Sequence, residues 1–164
     1  MQKFSKRVVF FDIRNTLGVV DRQGHLIAFK PSSDQLLKAV KEKVGATIAV
    51  ITNVPAGVDA RAMLDEAGLL QYIDPNGVIS TDDPDIKAAN AKKPEAKIYE
   101  LAAKRMGTSV EHCIYVGENL IEQLGAWNAG MSIGTKLFPP GGDFMRDLFG
   151  RSTVTEKSSG RLTE

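Results

Sequence analysis

Three short apolar runs fix most of what this chain can become. VVFF (8–11) runs into Asp12, ATIAVI (46–51) into Thr52-Asn53, and HCIYV (112–116) into Gly117-Glu118. The first is apolar throughout, and the other two are interrupted only by Thr47 and His112. None shows strict polar alternation, so each suits a strand buried on both faces. Between them, apolar residues recur at helical spacing. Leu36, Leu37, Val40 and Val44 lead to Gly45, and Ile98, Leu101, Ala102 and Met106 follow Pro94. Strands alternating with helices predict a three-layer α/β/α, Rossmann-like domain with a central parallel sheet. Ligands in such sheets bind outside the carboxyl ends of the strands. Asp12, Thr52 and Gly117-Glu118 are therefore expected to share one crevice.

The remaining segments fit around that frame. Residues 18–30 carry a turn signal at Asp21–Gly24 between two apolar pieces and predict a short hairpin or flap. Pro31-Ser32-Ser33 introduces the first helix. Pro55 and Gly57 are expected to start another, carrying Val58, Met63 and Leu64 and stopping at Gly68. Tyr72-Ile73 and Gly77–Ile79 read as short extended pieces, and the polar stretch 80–94 as a loop. A helix follows GENL through Trp127 to Gly130, then a terminal strand at 131–134. Residues 143–149 suit one or two helical turns. The expected division is a core domain over 1–150 and a flexible tail over 151–164.

Composition narrows the function classes. The 164 residues suffice for one domain with a real core. The formal net charge of +1 implies no large one-signed field, so nucleic acid is not an expected partner. The lone cysteine, Cys113, excludes an internal disulfide framework and fits a reducing compartment. No stretch approaches the roughly 18 apolar residues that span a membrane, and the N-terminal apolar run is too short for a signal-peptide core. A cytoplasmic location is the expectation.

Four motifs at these strand ends resemble those of the haloacid dehalogenase-like (HAD) superfamily, whose commonest members are magnesium-dependent phosphatases. Asp12-Ile13-Arg14-Asn15-Thr16 stands for Asp-x-Asp-x-Thr after an apolar strand. VITN stands for a strand ending in Ser or Thr, here Thr52. Lys93-Pro94 stands for the Lys that precedes a helix. VGENLIEQLGAWNAG stands for Val-Gly-Asp-Ser-x-x-Asp with its Ala-Gly helix end. The resemblance runs from about residue 7 to residue 134. The gaps between Asp12 and Thr52 and between Thr52 and Lys93 leave no room for a large cap, so the site is expected to be open.

The resemblance implies a role for each position. Asp12 would be the nucleophile of an aspartyl-phosphate mechanism. Thr52 and Lys93 would hold the transferring phosphoryl oxygens, with Thr16, Asn53 and Asn119 as further substrate-binding positions. Mg²⁺ would be held by Asp12, the Arg14 backbone carbonyl, Glu118 and Glu122. The implied substrate is a phosphorylated small molecule or macromolecule. The open site leaves room for a protein partner or a homo-oligomer across it.

Three positions depart from the pattern. Arg14 replaces the second Asp, which in relatives protonates the leaving oxygen and later activates water. A guanidinium does neither at neutral pH, and acid–base catalysis contributes about 10²–10⁴-fold. Arg14 could also pair with Asp12 and occupy it. Glu118 and Glu122 keep charge on side chains one methylene longer. Two readings therefore stand together: a phosphomonoester phosphatase, and a weak or inactive pseudo-phosphatase that binds a ligand or protein without a metal. Plainer roles also remain for the same residues. Thr52-Asn53 suits a helix cap, Lys92-Lys93 a solvated loop pair, and Glu118 and Glu122 helix-start electrostatics.

Overall fold

The computed structural model describes residues 6–135. The expected tail over 151–164 and the helical turns expected at 143–149 lie outside the described residues.

The apolar runs form the strands they predict. β1 (Val8–Phe11), β4 (Thr47–Thr52) and β6 (Cys113–Gly117) lie side by side with β1 in the middle. β5 (Val78–Ser80) extends the sheet beyond β4, and β7 (Ser132–Thr135) extends it beyond β6. All pairings in the order β5-β4-β1-β6-β7 are parallel. β2 (Gly18–Val20) and β3 (Leu26–Ala28) make a separate antiparallel hairpin.

Helices cover both faces. α3 (Pro84–Ala88), α4 (Ala96–Arg105) and α5 (Leu120–Ala129) pack on the face of Val8, Phe10, Ala49 and Ile51. α1 (Ser32–Ala39) and α2 (Ala60–Glu66) pack on the face of Val9, Phe11, Ile48 and Val50. Each buried Val, Ile, Leu or Phe contributes about 1.5–3 kcal/mol, so two such layers hold the strand tips in place. Between β1 and β4 the chain makes only the hairpin and α1 with its extension. Among the described residues there is no large cap.

The structure corrects several local expectations. The second helix begins at Ala60 rather than near Pro55, because Gly57 has φ 84° and the Asp59 side chain caps it by accepting from Ala62 N–H. The stretch 80–94 is not all loop: Pro84 opens α3, whose Ile86 is fully buried. Of the expected extended pair Tyr72-Ile73, Tyr72 closes a 3₁₀ turn over Leu70–Tyr72 and only Ile73 is extended. The first helix widens to a π-turn over Val40–Val44, which carries Val44 off the buried face to 63% exposure. β6 is buried on alternate residues only, with Ile114 exposed. Trp127 is exposed on α5, together with Leu120, Ile121 and Leu124. No helix among the described residues is long and apolar enough to cross a membrane.

Candidate active site

Asp12 follows the last residue of β1 and stays tied to the sheet, since its N–H donates to Val116 C=O at 2.9 Å. The next turn closes on Ile13, whose C=O accepts from Thr16 and Leu17 N–H. Asn15 makes that turn with φ 61°, a conformation Asn tolerates better than most residues. Thr16 is fully buried beneath the turn and does not line the cleft. Thr52 ends β4, buried beside the neighbouring strand tip.

Lys93 arrives from a loop, and Asn53 fixes that loop. The Asn53 carboxamide donates to Lys93 C=O and accepts from Lys93 N–H, both at 3.0 Å. α5 presses on the same loop through Gly125. A Cβ there would run into the Pro94 carbonyl group, whose carbon lies 2.8 Å from the Cβ position. Lys92 is exposed while Lys93 is 4% exposed. Burying an ammonium is costly unless it is paired, and Lys93 is heavily paired. Its Nζ lies 2.7 Å from Asp12 Oδ1, 2.7 Å from Glu122 Oε1 and 3.1 Å from the Tyr115 hydroxyl. An ammonium has three donors, and three oxygens surround this one.

Tyr115 is a site residue that sequence reasoning missed. It sits in the middle of β6, and its hydroxyl donates to Glu122 Oε1 at 3.0 Å. Burial first, then the Asp12 and Glu122 charges, holds its proton far above the ordinary tyrosine range. It is therefore a fixed donor, not a titrating group. Tyr99 packs edge-on against it at 5.4 Å and donates to the Glu122 backbone C=O at 2.7 Å. The available signal was a tyrosine inside a buried strand, whose hydroxyl must find a partner.

Glu118 and Asn119 come from the turn between β6 and α5. Asn119 caps α5 by accepting from Glu122 N–H at 3.1 Å. Glu118 shares a hydrogen bond with the Asn15 side chain, yet burial and the Asp12 and Glu122 charges raise its pKa. Asp12 is also raised, by burial above all, against the lowering effect of Lys93. Three carboxylates thus face one buried ammonium, leaving excess negative charge in the cleft.

Arg14 does not pair with Asp12. It is exposed and forms no ion pair among the described residues, while Lys93 holds the carboxylate. Its residue lines the cleft together with Asp12, Thr52, Asn53, Lys93 and Glu118, around about 520 Å³. A larger cleft of about 620 Å³ lies elsewhere, beside α2 and α3. Most of its charges are engaged locally: Arg105 pairs with Asp83 and Asp85, Asp82 pairs with Lys87, Asp59 caps α2 and Arg61 donates to Pro75 C=O. The smaller cleft, not the larger, carries convergent chemistry.

The cleft offers oxygen donors to a divalent cation. No group of three acidic, His or Cys side chains among the described residues is spaced to hold a metal by itself. Mg²⁺ does not require one: it binds through one or two carboxylates and completes its shell with water and substrate oxygens. Asp12 and Glu118 line one cleft with Arg14, and the two carboxylates with the Arg14 carbonyl are hard oxygen donors of the kind Mg²⁺ takes. The residues fit. Glu122, expected as a further ligand, is engaged by Lys93 and Tyr115.

Comparison with known proteins agrees with this fold. A structure of an uncharacterized protein from Listeria monocytogenes serotype 4b superposes with a TM-score of 0.67 at 19% identity, over 79% of this chain and 77% of that one. A HAD phosphatase from Thermococcus onnurineus is 28% identical with a TM-score of 0.51, over 65% of this chain and 45% of that one. This chain thus spans less than half the length of that phosphatase. A HAD family hydrolase from Deinococcus radiodurans R1, with bound phosphate and sodium, is 18% identical with a TM-score of 0.54, over 82% of this chain and 54% of that one. No curated protein matches the chain. The family profile described as haloacid dehalogenase-like hydrolase matches residues 3–130. Since that match takes in every strand tip converging on Asp12, the chain belongs to the haloacid dehalogenase-like hydrolases.

Proposed function

We propose that the cleft hydrolyses phosphomonoesters through Asp12. The observation that carries this reading is the Lys93 ammonium 2.7 Å from Asp12 Oδ1, buried at the carboxyl end of a parallel sheet. It opposes the effect of burial on the Asp12 carboxylate and offers positive charge to an incoming phosphoryl group.

In this account Asp12 attacks phosphorus. A bond forms between its carboxylate oxygen and phosphorus while the ester P–O bond breaks, and the leaving oxygen departs with the bonding pair. Water then attacks the phosphorus of the aspartyl-phosphate, releasing inorganic phosphate and restoring Asp12. Thr52, lining the same cleft, and Lys93 hold phosphoryl oxygens during both steps. Lys93 must then exchange one of its three oxygens for the substrate's. Asp12, Glu118 and the Arg14 carbonyl would hold Mg²⁺, which would offset repulsion between carboxylate and phosphate.

Arg14 limits the first step, because no acid stands there to protonate the leaving oxygen. Good leaving groups, which need no proton, are the favoured substrates. The same residue favours a second reading, in which the cleft binds a phosphorylated ligand and turns it over poorly or not at all. An assay with an activated aryl phosphate and Mg²⁺ separates the two. Turnover abolished by Asp12→Asn supports the hydrolase. Binding of phosphate without turnover supports the second reading.

A further inference from the structure

A second pocket adjoins the Asp12 cleft and shares Arg14, Thr52, Asn53, Val54 and Pro55 with it. It measures about 330 Å³ and lies between the hairpin tip and the loop that leads to α2. Both walls are built. The hairpin turn is closed by Asp21, whose Oδ1 accepts from Gln23 N–H at 2.9 Å and His25 N–H at 2.8 Å. The opposite loop is tied to the tip of β5, since Val54 N–H donates to Thr81 Oγ1 at 2.9 Å and Thr81 Oγ1 donates to Val54 C=O at 3.1 Å. The lining is largely apolar, with Ile13, Val20, Pro55, Val58 and Met63.

The charges in this pocket are opposite in balance to those of the neighbouring cleft. Arg14 and Arg22 both line it, both are exposed, and neither forms an ion pair among the described residues. The single acid in the lining is Asp21, and it is engaged by the turn and by His25. Two arginines without ion-pair partners among the described residues, in one lining with apolar residues, suit a ligand with an apolar body and an anionic end, which Arg recognises bidentately. The phosphoryl cleft begins where this pocket ends.

We propose that this pocket receives the organic part of the substrate, and that the substrate is a small phosphomonoester carrying a second anionic group. Arg22 and Arg14 bind that second group, a carboxylate or a second phosphate. The inference rests on the phosphoryl-binding reading of the Asp12 cleft. It gives Arg14 a purpose in recognition at the position where it removes a proton donor.

Binding of non-hydrolysable probes tests this without requiring turnover. The dissociation constants of 4-phosphonobutyrate and butylphosphonate are measured by calorimetry with Mg²⁺ present, on the wild type and on Arg22→Gln. Bis-phosphonobutane replaces the carboxylate by a second phosphonate in a third arm, which distinguishes the two anionic ends. The wild type is expected to bind at least one two-headed probe about tenfold more tightly than butylphosphonate, as befits a charge-assisted contact. Arg22→Gln is expected to bring that ratio near one. Equal wild-type affinities, or a ratio unmoved by Arg22→Gln, overturn the inference while leaving the phosphoryl site standing. Failure of all three probes to bind removes the phosphoryl-site reading itself, and the inference with it.

Discussion

The Lys93 ammonium lies 2.7 Å from Asp12 Oδ1, across 81 positions of sequence. The contact joins the tip of the central strand to a loop outside the sheet. Around it Glu122 and Tyr115 complete a buried polar network that fold and cleft share.

Removing the cation should therefore cost stability as well as chemistry. Lys93→Met leaves Asp12 and Glu122 without their counter-charge. The expected loss is about 3 kcal/mol, read as a lower urea midpoint with unchanged slope. A loss under about 1 kcal/mol would mean that the network relaxes freely into water.

Gly125→Ala tests how the lysine loop is held. Helix propensity alone favours Ala over Gly by about 1 kcal/mol. Here the new Cβ meets the Pro94 carbonyl group, so the sign should reverse, to a destabilisation of about 1–3 kcal/mol. Aryl phosphate turnover should fall with it, because Lys93 moves when Pro94 moves. A stabilised, fully active variant contradicts this packing.

The pH dependence follows from Asp12. Burial raises its pKa above the usual 3.8, with the Glu122 charge adding to the rise. The nucleophile must be ionised, so activity should fall on acidification through a midpoint above that value. Folded Asp12 also holds its proton more tightly than the unfolded chain does. Its contribution to stability is thus present at low pH and lost as pH rises through the folded pKa. Glu122→Gln removes one negative neighbour and should move the acid limb of the pH–rate profile to lower pH. A limb that stays fixed or moves upward contradicts the assignment.

Cys113 is 1% exposed in β6, and burial pushes its thiol up to about 11. The thiolate is the reactive form. Folded protein should resist a disulfide reagent at pH 8, and denatured protein should react at once. Rapid labelling of the native chain would contradict the burial of β6.

Much of the fold was legible because its strands announce themselves. VVFF, ATIAVI and HCIYV are short, apolar and bounded by polar residues, and the segments between them have helical period. That placed Asp12, Thr52 and Glu118 at strand ends before any contact was known. Other features depend on tertiary context. Tyr115 reads as one more core aromatic until Lys93 and Glu122 arrive from distant segments. α3 is five residues long inside a polar stretch and becomes visible only through the burial of Ile86. Val44 keeps helical period in the sequence but loses its face to a π-turn, which no spacing rule anticipates. Arg14 could be named as a departure, yet its separation from Asp12 follows from Lys93 reaching the carboxylate first.

Arg14→Asp restores an acid where relatives carry one. If the remaining apparatus is competent, hydrolysis of poor leaving groups should rise by about 10²-fold or more, with a smaller rise for activated aryl phosphates. Steady-state rates on two esters of different leaving-group acidity measure this. An equal change on both would show that position 14 does not govern proton transfer.

The most direct measurement is to quench the protein with acid during turnover of an activated aryl phosphate in Mg²⁺ and locate the phosphoryl group by peptide mass spectrometry. A phosphorylated peptide containing Asp12 is expected, absent from Asp12→Asn. Turnover that continues in Asp12→Asn, or a label confined to another residue, would contradict it.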